Sequence, residues 1–342
     1  MNKKKIIKIN NKIINKKSNT YVIAEIGINH LGDKNLCIRQ IDSAIKCGAD
    51  AVKLQIADYE ESYSKDTLSY KIFKKYSLNL DDLLKINKYC KKKKITIFAT
   101  PSGKSVIKII KKLKYPAVKI SSSLLNNVYF INQISSEIKK PFILSCGMAF
   151  EEEIRKTVKI LKEKKIPFIL LKCTSLYPAG DKSLNLHSIK TLEKKFDCIV
   201  GYSDHTKDNL ACLSAVSMGA KVIEKHFNIE KNIKAPDDKI SAKPKQFSKL
   251  ITDIRRIEKM KGRPAIYPDK DEIILRKFNH RKIISKKEIF LEQEFNEENI
   301  GLLRSKKLIE GLSAKFFNKF LNQKSSKNIK KNTILNLKHI LK

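Results

Sequence analysis

Two short apolar runs in this chain each end on a histidine: Val-Gly-Tyr-Ser-Asp-His-Thr at 200–206 and Val-Ile-Glu-Lys-His-Phe at 222–227. Each reads as a β-strand whose last residues turn polar, and the interval between them fits one crossover helix. His205 and His226 therefore fall side by side at the carboxyl ends of neighbouring parallel strands, where α/β proteins place their chemistry. Two neutral imidazoles so placed suit a divalent transition metal, with the remaining positions open to water or substrate. Asp204 and Glu224, one on each run, add carboxylates to that neighbourhood.

Lys53 and Lys119 lie inside otherwise apolar strands, where an unpaired ammonium is costly. A phosphate or carboxylate ligand would supply the missing anion. Hydroxyls at the strand ends, Thr100, Ser122, Ser145, Ser175 and Ser203, are suitable donors to the same oxygens, although each alone could equally cap the following helix. Glu25 also ends an apolar strand and reads as a partner to substrate or to metal-bound water. His30, His187, His280 and His339 lack such neighbours and read as structural.

These residues need a frame. Short β-rich runs occur at 21–29, 51–56, 96–101, 117–121, 142–146, 168–175, 198–205 and 221–228, with helical apolar spacing between them at 36–46, 80–94, 105–113, 151–164 and 209–218. Turn or cap residues precede several helices, as at Asp33, Asp81, Ser102-Gly103 and Asp208. Eight alternating units in about 210 residues predict an α/β fold, a (β/α)8 TIM barrel, rather than an open sheet. Ahead of it, residues 1–19 carry an alternating pattern broken by Asn10-Asn11, which predicts a hairpin plugging one end of the barrel. The barrel spans 20–262, closed by a helix at 245–261. A linker rich in breakers occupies 263–275, and a small β-rich or α+β module occupies 276–342.

The chain of 342 residues carries 72 Lys and Arg against 35 Asp and Glu, a formal charge of +37. Only eight of those cations are Arg, and lysine is spread over nearly every helix, so the charge reads as solvated surface rather than a nucleic-acid face. Seven cysteines form no Cys-x-x-Cys pair, which argues for a reducing cytoplasm and against a structural zinc site. No apolar run reaches the roughly 18 residues of a membrane span, and the first residues lack the pattern of a signal peptide.

Seven ordered motifs carry a family likeness: Ala-Glu-Ile-Gly-Ile-Asn-His at 24–30, Ala-Val-Lys-Leu-Gln at 51–55, Val-Lys-Ile at 118–120, Leu-Ser-Cys-Gly-Met at 144–148, Cys-Thr-Ser-Leu-Tyr-Pro-Ala at 173–179, Gly-Tyr-Ser-Asp-His-Thr at 201–206 and Glu-Lys-His-Phe at 224–227. Together the chain resembles the N-acetylneuraminate (sialic acid) synthase family along its whole length. The resemblance implies a barrel fused to a carboxyl-terminal antifreeze-like (SAF) domain, acting as a domain-swapped homodimer. It implies condensation of phosphoenolpyruvate with an N-acylated hexose such as N-acetylmannosamine, giving a nine-carbon 2-keto acid and phosphate. By the same likeness His205 and His226 hold a divalent metal, typically manganese, with magnesium or cobalt as alternatives. Lys53, Thr100, Lys119, Ser122, Ser145, Ser175 and Ser203 match the phosphoenolpyruvate contacts; Gln55, Tyr177 and Asp237 match positions near the sugar. Arg304 matches an arginine that the SAF domain inserts into the partner's site, and Glu25 is the candidate for orienting the sugar or managing a proton. A general rule for barrels would put a phosphate after the last two strands; the resemblance puts the metal there and the phosphate around strands two to six.

The chain departs from the family pattern at Ser102, Lys172, Asp238 and the segment after Arg304, where the family commonly has Phe, His, His and Pro-Gly-Thr-Gly. The sugar-facing positions are the altered set, so legionaminic, pseudaminic and related acids stand beside N-acetylneuraminate as products. Synthases of octulosonate or heptulosonate phosphates would need a further basic pocket for a phosphorylated sugar. A non-catalytic SAF-domain binding protein would have no use for Glu25, Lys53, Lys119, His205 and His226 together.

Overall fold

The computed structural model describes residues 5–229, 235–304 and 311–342; the start of the 230–241 loop and the divergent segment 305–308 lie outside them. The chain divides into two compact units, Met1–Gly262 and Arg263–Lys342.

The first unit opens with an antiparallel hairpin, β1 (Ile7–Ile9) and β2 (Lys12–Ile14), turned at Asn10 with φ 48°. A short polar side chain tolerates that left-handed conformation. Ile7, Ile9 and Ile14 are buried in the main core, and Asn10 Nδ2 donates to Thr96 Oγ1 at 3.1 Å. Thr96 begins a barrel strand, so the hairpin closes the amino-terminal end, as its alternation predicts.

Eight parallel strands follow: β3 (Tyr21–Gly27), β4 (Ala51–Ala57), β5 (Thr96–Ser102), β6 (Val118–Ile120), β7 (Phe142–Ser145), β8 (Phe168–Cys173), β9 (Ile199–Asp204) and β10 (Val222–His226). Each pairs with its sequence neighbours, and β10 returns to β3 to close the barrel. Both faces of every strand are covered, which is why the strands read as nearly continuous apolar runs and why a lysine or glutamate within one stands out.

A helix covers each crossover. Asp33 caps the helix Lys34–Lys46 by accepting from the amides of Asn35 and Leu36. Asn79 caps Leu80–Lys93; Asp81, the expected cap, sits instead in the first turn and pairs with Lys85 at 2.5 Å. Glycines and turns lead into Ser105–Leu113, Val128–Glu137, Glu151–Glu163, Ser188–Phe196 and Leu210–Ser217, and the closing helix runs Pro244–Met260. Ile41, Ile86, Ile110, Ile134, Val158 and Ile254 face the sheet from these helices, each at most 3% exposed. The β4–β5 crossover also holds two short helices, Tyr59–Ser62 and Leu68–Tyr76, fastened by the stacked rings of Tyr63 and Phe73 at 5.4 Å and the edge contact of Tyr59 with Tyr70 at 5.3 Å.

The second unit pairs β11 (Lys282–Ser285) with β12 (Ile300–Leu303) around its own core of Ile283, Ile289, Phe295, Ile300, Phe320, Ile329 and Leu335. A helix, Lys270–Asn279, begins inside the stretch expected to be a linker. Asp269 caps it and Glu272 returns the capping-box bond, so local signals suffice to form it although none of its residues is buried.

Candidate active site

Strand alternation sorts the polar residues into two sets. On β9, Ser203 points into the barrel and Asp204 outward, with His205 inward at the strand end; on β10, Glu224 and His226 point inward and Lys225 outward. The inward set from all eight strands lines one cavity of about 500 Å³. It brings together Glu25, Lys53, Gln55, Thr100, Lys119, Ser122, Ser145, Ser175, Tyr177, Ser203, His205, His226 and Asp237, every expected barrel residue. Asp204, expected beside the metal, is instead behind the strand. Its carboxylate faces Lys225 there, because adjacent residues of a strand take opposite faces.

At the base of the cavity four buried charges alternate in sign. Lys53 Nζ lies 3.0 Å from Glu25 Oε2, 3.3 Å from Glu224 Oε2 and 3.0 Å from Thr100 Oγ1. Lys119 Nζ donates to Ser145 Oγ at 2.7 Å and to the Ile120 carbonyl at 2.9 Å, with Glu224 Oε1 at 3.7 Å. Glu224 thus stands between both ammoniums and also accepts from Ser203 Oγ at 2.9 Å. Burial works to raise its carboxyl pKa, but Lys119 and Lys53 outweigh it and hold Glu224 below the usual carboxylate range. Glu25 has one lysine and the amide of Gln55, 3.0 Å from Oε1. Burial therefore dominates there and pushes its pKa up to about 7. The lysines are not the free cations the sequence suggested. By sequence Glu224 reads as a metal-side carboxylate; only the register across β4, β6 and β10 reveals it as their shared counter-ion.

The His205 and His226 rings lie 5.4 Å apart by centroid, and Tyr177 stacks on His205 at 4.1 Å. His205 Nδ1 donates to the Thr174 carbonyl at 2.8 Å, so in the neutral ring the lone pair lies on Nε2. Cys173 Sγ is 3.8 Å from the same Nδ1, a neighbour the strand pattern alone did not identify. His226 Nδ1 is buried without a hydrogen-bond partner, 3.4 Å from Asp237 Oδ2. Burial, then the nearby His205, Lys53 and Lys225, hold its pKa well below that of a free imidazole, so the ring is neutral. Among the described residues no group of three or more His, Cys, Asp or Glu side chains forms a ready-made metal cage.

The loop after β7 brings a backbone into the hydroxyl ring: Gly147 N donates to Ser122 Oγ at 3.0 Å. A Cβ on Gly147 would fall 2.4 Å from Ser175 Oγ and 2.7 Å from Ser122 Oγ, so only glycine lets these two hydroxyls converge. The segment after β4 forms another wall with Tyr63, Ile72 and Phe73, beside Ser62 and Ser102, whose hydroxyls bond each other at 2.9 Å. These wall residues carry no strong sequence signal because their helices are short and polar on the outside. Arg304 belongs to the second unit, exposed at the end of β12.

The NeuB family profile matches residues 40–265. The pseudaminic acid synthase of Campylobacter jejuni is 34% identical over 91% of this chain and 93% of its own length. The N,N'-diacetyllegionaminic acid synthase of the same organism is 32% identical over 92% of this chain and 98% of its own length. Among solved structures, the N-acetylneuraminic acid synthetase of Leptospira borgpetersenii, in complex with citrate, superposes with a TM-score of 0.76 at 35% identity, covering 80% of this chain and 96% of that one. With a profile match over more than half its length and relatives of this similarity over nearly all of it, the chain belongs to the NeuB family, that of the sialic, pseudaminic and legionaminic acid synthases.

Proposed function

We propose that this chain condenses phosphoenolpyruvate with an unphosphorylated N-acylated amino hexose, releasing phosphate and forming a nine-carbon 2-keto acid. The observation that carries the reading is the convergence of two buried lysines, five hydroxyls and two histidines on one cavity. Lys53 and Lys119, with the hydroxyls of Thr100, Ser122, Ser145, Ser175 and Ser203, hold the phosphate and carboxylate of phosphoenolpyruvate and stabilise the charge that grows on the departing phosphate.

His205 and His226 fit a divalent ion: one ring is fixed with a free Nε2, and the other is neutral with a buried, unpartnered Nδ1. They would hold manganese, or magnesium or cobalt in its place, and the bound ion would supply Lewis acidity at the aldehyde of the acceptor. Glu25, poised near pH 7 between Lys53 and Gln55, orients a sugar hydroxyl and carries a proton. Gln55, Tyr177 and Asp237 face the sugar. Tyr177 also shields the His205 ring from water.

Among the described lining residues the lysine and arginine side chains are Lys53 and Lys119, each already facing a carboxylate. A second phosphate on the acceptor would find no further lysine or arginine among these described residues, which favours a neutral amino sugar over a sugar phosphate. The apolar wall of Tyr63, Ile72 and Phe73 suits a methyl terminus, which favours the 2,4-diacetamido trideoxy hexoses over N-acetylmannosamine. The names of the pseudaminic and legionaminic relatives point the same way. The second unit, read as an SAF domain, delivers Arg304 to the partner's cavity in a swapped homodimer. Seven unpaired cysteines suit a reducing cytoplasm.

The test is phosphate release from phosphoenolpyruvate by metal-stripped protein, with and without manganese, across N-acetylmannosamine, a 2,4-diacetamido trideoxy hexose and arabinose 5-phosphate. Metal-dependent release with an amino sugar and none with the sugar phosphate is expected. Release driven by arabinose 5-phosphate would overturn the neutral acceptor, and failure to bind either phosphoenolpyruvate or manganese would overturn the site.

A further inference from the structure

Behind the two histidines, on the outer face of the sheet, Asp204 and Lys225 form an ion pair with both side chains fully buried. They are cross-strand neighbours in the β9–β10 register, and each immediately precedes an imidazole-bearing residue. Lys225 Nζ makes three contacts, which matches its three protons: Asp204 Oδ2, the Thr206 carbonyl at 3.1 Å and the Asp208 carbonyl at 2.8 Å. Asp204 in turn accepts from the Thr206 amide at 3.0 Å, the Thr206 hydroxyl at 3.1 Å, the Tyr202 hydroxyl at 3.2 Å and the Cys212 thiol at 3.3 Å. The turn that leaves His205 is therefore held from both sides, and one of the hands holding it comes from the strand that carries His226.

Stability alone does not account for this arrangement. Two charges lose their hydration at such depth, and well-packed apolar residues of the same volume usually serve a fold as well or better. What apolar residues could not do is donate to the two turn carbonyls while receiving the Thr206 amide. We propose that Asp204 and Lys225 are positioning residues that lock the His205 turn against β10 and so fix the separation and tilt of the two imidazoles for metal binding. The inference rests on the reading of His205 and His226 as metal ligands. Outer partners of this kind set how tightly a site binds because the ligands are then ordered before the ion arrives.

The experiment compares Mn2+ affinity, by electron paramagnetic resonance titration of the metal-stripped protein, with thermal unfolding of the same samples. Lys225→Met alone strands a buried carboxylate and is expected to unfold more easily. The double variant Asp204→Asn/Lys225→Met removes both charges and keeps an acceptor for the Thr206 amide. It is expected to regain most of the lost thermal stability while binding Mn2+ about 10- to 100-fold more weakly than the parent. Thr206→Val is the milder variant, deleting one hydroxyl, with an expected loss of about fivefold in Mn2+ affinity, the equivalent of one hydrogen bond. The His205 and His226 ring signals in NMR spectra should shift in both variants, even without metal. Parental Mn2+ affinity in either folded variant would overturn the positioning role. Absence of Mn2+ binding to the parent protein would overturn the two-histidine reading itself, a separate and distinguishable failure.

Discussion

Lys53 and Glu25 meet inside the barrel as neighbours in the β3–β4 register, Nζ to Oε2 3.0 Å, with both side chains at most 4% exposed. Lys53 also faces Glu224, so the cation proposed to bind the phosphate is held in place by two carboxylates before any substrate arrives. An entering anion must compete with those carboxylates, and the lysine is already in its working position when it does so. Pre-organisation of this kind costs no reordering during the reaction.

Removing that cation should weaken binding of the phosphate, and because it leaves Glu25 and Glu224 buried without their shared partner, the barrel should also unfold more easily. Lys53→Met is expected to weaken phosphoenolpyruvate binding by about 10- to 100-fold, the range for a lost charge-assisted contact. Isothermal titration calorimetry measures it directly; parental affinity in the variant would show that Lys119 and the hydroxyls suffice without Lys53.

Gly147 offers a test of the hydroxyl ring that touches no charge. Gly147→Ala places a methyl group where Ser122 and Ser175 now converge, and both hydroxyls must turn away. Phosphoenolpyruvate KM is expected to rise about tenfold, with the circular dichroism of the barrel unchanged. An unaltered KM would separate those two serines from the substrate.

The aromatic wall predicts selectivity rather than rate. In Phe73→Ala the stack on Tyr63 is lost and the cavity widens on that side. The ratio of kcat/KM for a trideoxy acceptor over N-acetylmannosamine should fall about tenfold, the scale on which a pocket discriminates one small apolar group. Equal losses for both sugars would make Phe73 a packing residue only.

His30, which does not line the cavity, supplies a pH dependence of its own. Its buried ring accepts the Gly32 amide at Nδ1, 3.1 Å away, and burial pushes its pKa down to about 4 from the ordinary 6.5. Between those values the unfolded chain binds the proton and the folded chain does not. The contribution is thus present above pH 6.5 and stability falls as the pH drops, by about 3 kcal/mol near pH 4. Urea unfolding of the metal-free protein at pH 7.5, 6 and 5, set against His30→Gln, isolates this slope. Identical slopes in the two proteins would assign acid sensitivity to other groups.

Much of the site was legible because barrel strands confine polar residues to few positions. In a strand covered on both faces, Lys53, Lys119 and Glu25 interrupt an apolar run, and the histidines terminate two such runs at matched places. Periodicity also gave the closing helix within one residue at each end. The β4–β5 crossover was less legible. Tyr59–Ser62 is too short to show a helical period and Leu68–Tyr76 buries only Tyr70 and Phe73; the two are held by ring contacts and by hydrogen bonds to the β5 loop, such as Ser105 Oγ to Asp58 Oδ2 at 2.6 Å.

The amino-acid order by itself determined the alternation of strand and helix, the strand ends that carry chemistry, and the hairpin at the barrel's base, since each depends on local period and turn chemistry. Closure of β10 onto β3 decided what those residues face. It made Glu224 the common partner of two lysines from β4 and β6, while the β9–β10 register set Asp204, on the outer face, against Lys225. Those pairings join residues up to about 170 positions apart, and no local pattern encodes them; they exist because a closed sheet fixes which side chains share its interior and which are turned toward the helices.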